Sequence, residues 1–294
     1  MNQATQSEIL ISIVVVTHER PQYLAECLNS CQRQSYRNRE IVVVLNPTQI
    51  ESEMIALKHG AKILRTHRNI GFFPALNIAI ASSSGSRIMV IDDDAAFEGN
   101  DILTRLNHVL DEHAQCVVVT CNLHGPCESE PYRETREVHG FKTGFGLFRR
   151  EVFSDIAGYV PDKFFREGGE SYLTNYIYEH GHSVMVVHDA WMFHAQTPIG
   201  RDRRLMNHYS IRNHALIALL QEPLVVILPS LAMKVASTFT RIAIQRRDPL
   251  SWITGWSSLL LNIPWAIRMR KPISLRTFLR LRKLRAETGR HPGQ

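Results

Sequence analysis

Short apolar runs alternate with amphipathic stretches along the first 121 residues. The run ISIVVV at 11–16 is continuous and rich in β-branched residues, which is typical of a strand buried on both faces of a sheet. The same pattern predicts strands at 40–45, 61–64, 87–91 and 116–121, and helices from Arg20-Pro21 onward and at 49–59, 73–83 and 101–113. This succession predicts an α/β fold with a mostly parallel sheet, flanking helices and a ligand site at the carboxyl ends of the strands.

The alternation ends near residue 122. A loop-rich stretch follows, with a predicted helix at 173–180, a strand at 184–187 and a helix at 209–220. Residues 223–239 are apolar but interrupted by Pro229 and Lys234, and residues 249–267 carry no charge. We expect this last part to form a helical appendage to the sheet domain.

The charge of the chain is concentrated at one end. Residues 241–294 contain twelve Lys/Arg against two acids, a net charge of +10, whereas the whole chain carries +6. The first 240 residues therefore sum to −4, which argues against a nucleic-acid-binding core. A basic C-terminal region on an acidic body predicts contact with an anionic partner such as a membrane surface.

The cysteines and the N-terminus indicate a cytoplasmic protein. The five cysteines are odd in number and form no zinc-type pairs with histidines, and we interpret them as reduced thiols. They are Cys27, Cys31, Cys116, Cys121 and Cys127. The opening MNQATQSEIL lacks a basic start followed by an apolar run, so we expect no signal peptide.

Three consecutive carboxylates follow the predicted strand at 87–91. Asp92, Asp93 and Asp94 repel one another unless cations neutralise them. Strand alternation places Asp92 and Asp94 on the same side, a spacing suited to one Mg²⁺ or Mn²⁺ ion. The alternative is a solvated acidic turn, which is less favoured at the end of a buried strand.

Several segments resemble glycosyltransferase family 2 in their order and spacing. They are IVVVTHERP at 13–21, CLNSCQRQSY at 27–36, NIG at 69–71, ALN at 75–77, the DDD triplet, GFGLFRREVF at 144–153 and KFFREGGESYL at 163–173. The resemblance covers roughly residues 10–213. It implies an inverting enzyme with an A-type nucleotide-sugar-binding fold, acting as a metal-dependent hexosyltransferase.

The resemblance implies a role for each matching residue. Asp92, Asp94 and His194 are candidate metal ligands, and Asp92 is also a candidate ribose contact. Glu170 is the candidate catalytic base, because an attacking hydroxyl must lose a proton to a carboxylate. For Glu170 the alternative is a surface glutamate at a helix start, and for His194 a core or surface histidine.

Further residues are candidates for binding the donor or the acceptor. The nucleotide-sugar-binding candidates, besides Asp92, are Thr17, Arg20, Asn46, Arg68, Asn69, Gly71, Asn77 and Asp93. A cluster of arginines is expected near a diphosphate or a lipid-phosphate acceptor, with a plain basic surface as the alternative: Arg201, Arg204 and Arg212. Two departures from the family matter: Asn46 stands where an aspartate usually contacts the nucleoside base, and Ser171 follows Glu170 in place of a second acid.

The uncharged stretch at 249–267 predicts a membrane contact. It is barely long enough to span a bilayer, and it contains Trp252, Trp256 and Trp265 next to a basic cluster. This pattern is typical of a helix lying among anionic headgroups. The alternative is a helical pair packed on the catalytic domain.

These observations predict an organisation and an activity. We expect a catalytic domain at 1–213, with a nucleotide-binding half at about 10–121 and an acceptor half at about 122–213, and a basic helical region at 214–294. The expected reaction moves a sugar from a nucleotide-diphosphate sugar to a glycan or lipid-linked acceptor in surface polysaccharide or glycolipid synthesis, at the inner face of the cell membrane. A catalytically inactive binding or scaffold protein is the alternative, and a metal-dependent nucleotidyltransferase is less favoured because Thr17-His-Glu-Arg-Pro is not a glycine-rich phosphate loop.

Overall fold

The computed structural model describes residues 9–126 and 130–288, so Cys127 lies outside the described residues. Nine strands are described there: β1 Ile11–Thr17, β2 Arg39–Leu45, β3 Lys62–Arg65, β4 Arg87–Asp92, β5 Ala95–Phe97, β6 Cys116–His124, β7 Arg136–Glu137, β8 Phe145–Arg149 and β9 Ser183–His194. The α-helices are α1 Pro21–Gln32, α2 Ile50–Lys58, α3 Phe72–Ser82, α4 Ile102–Glu112, α5 Gly169–Glu179, α6 Arg203–Gln221, α7 Leu224–Thr238, α8 Pro249–Arg268 and α9 Leu275–Thr288. Two π-helical turns lie at Val152–Ile156 and Phe239–Gln245.

One sheet organises the protein, with strand order β3-β2-β1-β4-β8-β6-β9-β5 and β7 paired to β9. β1 pairs in parallel with β2 and β4, β2 with β3, and β6 with β9. β8 runs antiparallel between β4 and β6, and β5 and β7 run antiparallel to β9. The predicted α/β fold with flanking helices and C-terminal helices is confirmed, and the sheet is mixed because β8 enters it from the opposite direction.

The continuous apolar runs form a core on each face of the sheet. Val14, Val42 and Val90 pack with α3 on one face, whereas Ile13, Val15 and Val43 pack with α1 and α4 on the other. Neighbouring residues of one strand therefore pack in the two different cores, and for this reason the strands lack a polar face.

Two elements extend beyond their predicted ends. β9 continues to His194 because its second half pairs with β5 and with the end of β6. Helix α6 begins at Arg203 because the Asp202 side chain accepts hydrogen bonds from the backbone N–H groups of Arg204 and Leu205. The predicted boundary at residue 213 falls inside α6, and the division into two regions stays a prediction.

The C-terminal helices pack against the sheet domain through α6. Helix α8 approaches α6 closely at Gly255, where a Cβ would lie 2.9 Å from the Cβ of Ile211. The indole N–H groups of Trp252 and Trp256 donate to the hydroxyl of Thr238 at 3.2 and 3.3 Å. These hydrogen bonds hold the two half-buried tryptophans against the protein, as the packed alternative expected.

One stretch of the described residues is long and apolar enough to cross a membrane. It is Leu224–Gln245, with 22 residues, a mean hydropathy of 1.4 and a buried share of 17%. This stretch lies upstream of the uncharged segment at 249–267 that the sequence pattern indicated.

Candidate active site

A cleft of about 410 Å³ opens at the carboxyl ends of β1, β2 and β4. Asp92, Asp93, Glu170, His194 and Arg201 line it together. The remaining walls come from the loop before β8, the loop before α5 and the start of α6. Residues from distant parts of the sequence thus meet where a doubly wound sheet binds ligands.

Asp92, Asp94 and His194 form the candidate metal centre. Each offers one ligand atom, and these atoms lie within 4.8 Å of one another. The antiparallel pairing of β5 with β9 sets His194 opposite Ala95, the residue that follows Asp94. The donor set fits a divalent cation, because Oδ1 of buried Asp94 accepts no hydrogen bond from the described residues.

The two carboxyl groups of this centre titrate differently. Burial raises the pKa of Asp92, although the nearby His194 opposes the shift. Burial also acts to raise the pKa of Asp94, but His194, Arg20 and Arg201 outweigh it and lower the pKa to about 2. The carboxyl group of Asp94 is therefore charged.

Two arginines neutralise Asp94. Nη2 of Arg201 donates to Oδ2 of Asp94 at 3.0 Å, and Nη1 of Arg20 lies 3.4 Å from Oδ1. The backbone N–H of Thr197 also donates to Oδ2 at 3.0 Å. The Arg20 side chain is 10% exposed and its Nε donates to the carbonyl of Ile199, whereas the Arg201 side chain is 26% exposed. Arg20 is thus built into the loop, and Arg201 lies at its surface.

Asp93 joins the end of β1 to the acidic turn. Its carboxylate accepts hydrogen bonds from the Thr17 hydroxyl at 2.8 Å and from Nη1 of Arg20 at 2.9 Å. Burial raises the pKa of Asp93 to about 6 against the attraction of Arg20. The hydroxyl of Thr17 therefore donates its hydrogen bond to Asp93. Thr17 is not among the residues that line the cleft.

Glu170 lies in the first turn of α5 and lines the same cleft as Asp92. Close packing fixes this turn, since a Cβ at Gly169 would lie 2.2 Å from the ring of Phe73. Burial raises the pKa of Glu170, and the charge of Glu167 adds to the shift. The fold thus places a carboxyl group with a raised pKa in the cleft that Asp92 and Asp93 also line.

Asn46 holds the loop that leads into α3. Its Oδ1 accepts from the backbone N–H of Ile70 at 2.9 Å, and its Nδ2 donates to the carbonyl of Gly71 at 3.0 Å. Nδ2 also reaches Oδ1 of Asn69 at 3.3 Å. Gly71 has a φ of 96°, and a Cβ there would lie 2.4 Å from the carbonyl oxygen of Phe165. Asn46, Asn69 and Gly71 all line the cleft. The side-chain amide of Asn46 forms its hydrogen bonds with the loop that makes the cleft wall.

Besides Thr17, four further candidate contact residues do not line the cleft. Asn77 donates to the carbonyl of Val160 at 2.7 Å and holds the loop after the first π-helical turn. Arg212 donates to the carbonyl of Lys163 and stacks over Tyr209 at 4.5 Å. Arg68 and Arg204 are exposed. Their side chains satisfy local packing or face solvent rather than the site.

The cleft also contains residues that sequence reasoning missed. His18 follows Thr17 at the end of β1, and Lys142 precedes β8. Glu167 has a positive φ of 64°, an ion pair with Arg166 at 3.5 Å and a pKa raised by burial. The signal for Glu167 was its place in the FFREGGE segment, where only the later glutamate was chosen.

A family model matches the first part of the chain. The profile described as Glycosyl transferase family 2 matches residues 12–168, more than half of the 294 residues. The chain belongs to glycosyltransferase family 2. The match ends two residues before Glu170, so it covers β1 to β8 and the loop that leads to α5 but not Glu170 itself.

Curated glycosyltransferases are similar to part of the chain. An uncharacterized glycosyltransferase of Rickettsia prowazekii is 31% identical over 113 residues, which are 38% of this chain and 36% of the relative. Glycosyltransferase GlyG of Streptococcus pneumoniae is 28% identical over 114 residues, which are 37% of this chain and 38% of GlyG. The chain thus spans little more than a third of the length of these relatives.

Solved structures share the fold over nearly the whole chain. S. aureus TarS 1-349 in complex with UDP-GlcNAc superposes with a TM-score of 0.65 at 17% identity, covering 95% of this chain and 88% of that one. The mannosyltransferase PcManGT from Pyrobaculum calidifontis, in complex with GDP-Man and Mn²⁺, gives a TM-score of 0.57 at 15% identity, covering 96% and 76%. The predicted A-type fold of family 2 is confirmed.

Proposed function

We propose that this protein is an inverting, metal-dependent glycosyltransferase that moves a sugar from a nucleoside-diphosphate sugar to an acceptor hydroxyl. The observation that carries the proposal is that Asp92 and His194, which form the candidate metal cluster with Asp94, line the same cleft as Glu170. The fold neighbours support it, because one is described with UDP-GlcNAc and the other with GDP-Man and Mn²⁺.

Asp92, Asp94 and His194 would hold the divalent cation, which when bound stabilises negative charge on the departing diphosphate. Arg201 and Arg20 add positive charge at the same end of the cleft. Glu170 accepts the proton of the acceptor hydroxyl as that oxygen forms its bond to the anomeric carbon and the bond to the diphosphate breaks. A single displacement of this kind inverts the configuration of the anomeric carbon.

The donor and acceptor sides of the cleft have different walls. Asn46, Asn69 and Gly71 shape the wall beside β2, where we place the nucleoside, and His18 lies next to it. The acceptor enters on the side of Glu170 and the start of α6. We propose that it is a glycan or a lipid-linked glycan in surface polysaccharide or glycolipid synthesis.

The proposed location is the inner face of the cell membrane, with the catalytic region at 1–213 in the cytoplasm. Cys27, Cys31, Cys116 and Cys121 are buried thiols that form no disulfide among the described residues. This state is typical of proteins in a reducing compartment. The basic region at 241–294 supports an anionic membrane as the partner surface.

The test measures nucleoside-diphosphate release from a panel of nucleotide sugars, with and without Mn²⁺. We expect one donor to be turned over only with the metal, and Glu170→Gln to lower the rate by about 10²–10⁴-fold. Glu51→Gln makes the same chemical change at an exposed site on α2 and should leave the rate unchanged.

Three outcomes would contradict the proposal. Absence of turnover and of binding for every donor would indicate an inactive scaffold. Release of pyrophosphate from a nucleoside triphosphate would indicate a nucleotidyltransferase. A full rate in Glu170→Gln would remove Glu170 from the role of base.

A further inference from the structure

Aliphatic side chains cover the outward side of α7 and of the π-helical turn that follows it. Leu224 is 76% exposed, Val225 73% and Leu228 78%. The exposed apolar residues, here called the α7 surface, are Leu224, Val225, Leu228, Met233, Val235, Phe239 and Ile244. An exposed apolar patch of this extent marks an interaction site, because water-facing aliphatic area is unfavourable.

The helix start is tied to the catalytic body. Arg270 donates hydrogen bonds to the carbonyls of Leu219 and Glu222, just before α7 begins. The Glu222 carboxylate accepts from the Ser230 hydroxyl at 2.9 Å and pairs with Lys234 at 3.7 Å. The one lysine of the helix is therefore bound to the protein side and leaves the outward side apolar.

The C-terminal end of the segment Leu224–Gln245 is also held against the catalytic region. Asn207 of α6 donates to Oδ2 of Asp248 at 2.8 Å, and Arg246 donates to Oδ1 of Asn207 at 2.7 Å. Both ends of the segment Leu224–Gln245 are therefore held next to α6. If this segment spanned a bilayer, the two ends of α6 would have to lie on opposite sides of the bilayer. The segment is long enough to span but is held in a geometry that favours lying flat.

Cationic residues flank the α7 surface at both ends. Arg246 and Arg247 follow its last apolar residue, and Arg247 is exposed. Arg268 and Lys271 are also exposed. The backbone N–H of Lys271 donates to the carbonyl of Leu220 at 3.0 Å, which places Lys271 near the first residues of the α7 surface. A spanning helix carries its cations mainly on one side of the membrane, whereas cations at both ends suit a helix that lies in one anionic leaflet.

We infer that the α7 surface docks in the plane of an anionic membrane, with its aliphatic side chains below the headgroups and the flanking arginines and Lys271 on lipid phosphates. A second copy of this chain fits less well. A twofold dimer through this surface would bring cationic ends against cationic ends in either orientation of the helices.

This docking has a consequence that rests on the proposed function. Arg246, at one end of the surface, is an electrostatic neighbour of Glu167, which lines the cleft. The start of α6 also lines the cleft with Leu205 and Met206. A docked enzyme therefore presents its cleft near the headgroups, where an acceptor carried on a lipid phosphate lies.

The test is flotation of the full chain with phosphatidylcholine vesicles that contain or lack phosphatidylglycerol, without donor or metal. We expect binding to the anionic vesicles alone. Leu224→Glu combined with Leu228→Glu should weaken it by about a hundredfold or more, since each change removes an inserting side chain. Met54→Glu combined with Leu57→Glu makes the same change at exposed sites on α2 and should retain binding.

A charge variant tests the flanking residues independently of the apolar ones. Arg247→Gln combined with Lys271→Gln should weaken anionic binding by about fivefold for each charge removed. Arg33→Gln combined with Arg37→Gln is the matched control at exposed sites near α1 and should have little effect. This pair keeps the inference falsifiable if the leucine variant fails to fold.

Several results would overturn the inference. Equal binding to neutral vesicles would remove the role of the cations, and protein that resists extraction by alkaline carbonate would indicate a spanning helix. Loss of a dimer in the leucine variant without vesicle binding by the wild type would indicate a second copy as the occupant. Donor turnover in solution is measured separately, so a wild-type protein that turns over its donor but binds no vesicles refutes docking and leaves the proposed reaction standing.

Discussion

Arg201→Gln removes a cation that lies against the proposed metal centre. Nη2 of Arg201 donates to Oδ2 of Asp94 at 3.0 Å and lies 3.4 Å from Nε2 of His194. A divalent ion that binds Asp94 has to displace or outweigh this contact. We therefore expect the variant to bind Mn²⁺ more tightly than the wild type.

The magnitude follows from the environment of the ion pair. The Asp94 side chain is fully buried and that of Arg201 is 26% exposed. A hydrogen bond to a charged group contributes roughly 1.5–3 kcal/mol, and the partial exposure of Arg201 favours the lower end. Since about 1.4 kcal/mol corresponds to a tenfold change, the Kd for Mn²⁺ should fall by about tenfold. Arg20 remains 3.4 Å from Oδ1, so Asp94 keeps one cationic neighbour.

The assay is calorimetric titration of Mn²⁺ into the donor-free protein. Arg204→Gln removes the same charge from an exposed side chain three residues along and should leave the Kd near the wild-type value. Arg201→Lys keeps the charge and should also stay near it. Equal tightening in the Arg201→Gln and Arg204→Gln variants would show a general charge effect and refute the competition. Weaker binding in Arg201→Gln would instead show that Arg201 organises the ligands.

Three further predictions concern the cleft and the core. Because burial and Glu167 raise the pKa of Glu170, the wild-type rate should rise with pH through a midpoint above that of an ordinary glutamate, and Glu170→Gln should lack this rise in a pH–rate profile. Gly144→Ala would place a Cβ 2.2 Å from Cγ of Asp92, so we expect Mn²⁺ affinity to fall by about tenfold or more in the same titration, and unchanged affinity would contradict this packing. Burial lowers the pKa of His214 from 6.5 to about 4, so its contribution to stability is present above pH 6.5 and is lost as pH falls toward 4. Urea unfolding should show a loss of about 2 kcal/mol over that range that His214→Gln reduces, and an identical pH dependence in the variant would refute it.

Local pattern was sufficient for the strands and for the acidic turn. The apolar runs around Val14, Val43 and Val90 indicate strands that are buried on both faces of a sheet. This inference needs no knowledge of distant residues. The position of Asp92 at the end of one run followed in the same way. The sequence pattern also predicts a helix in the uncharged segment at 249–267. Trp252 and Trp256 of this segment turn toward Thr238, however, because α7 supplies a hydroxyl that no local pattern reveals.

By itself, the sequence determined the α/β class and the acidic end of β4, because periodicity and strand termination are local properties. Glu170 became a candidate through the resemblance of its segment to the family. Tertiary structure alone decided which polar side chains meet. The pairing of β5 with β9 brings His194 to Asp94, and the Asn46 amide is consumed by the loop before α3. Such contacts depend on the register of segments far apart in the chain and on competition among several possible partners, so spacing along the sequence does not encode them.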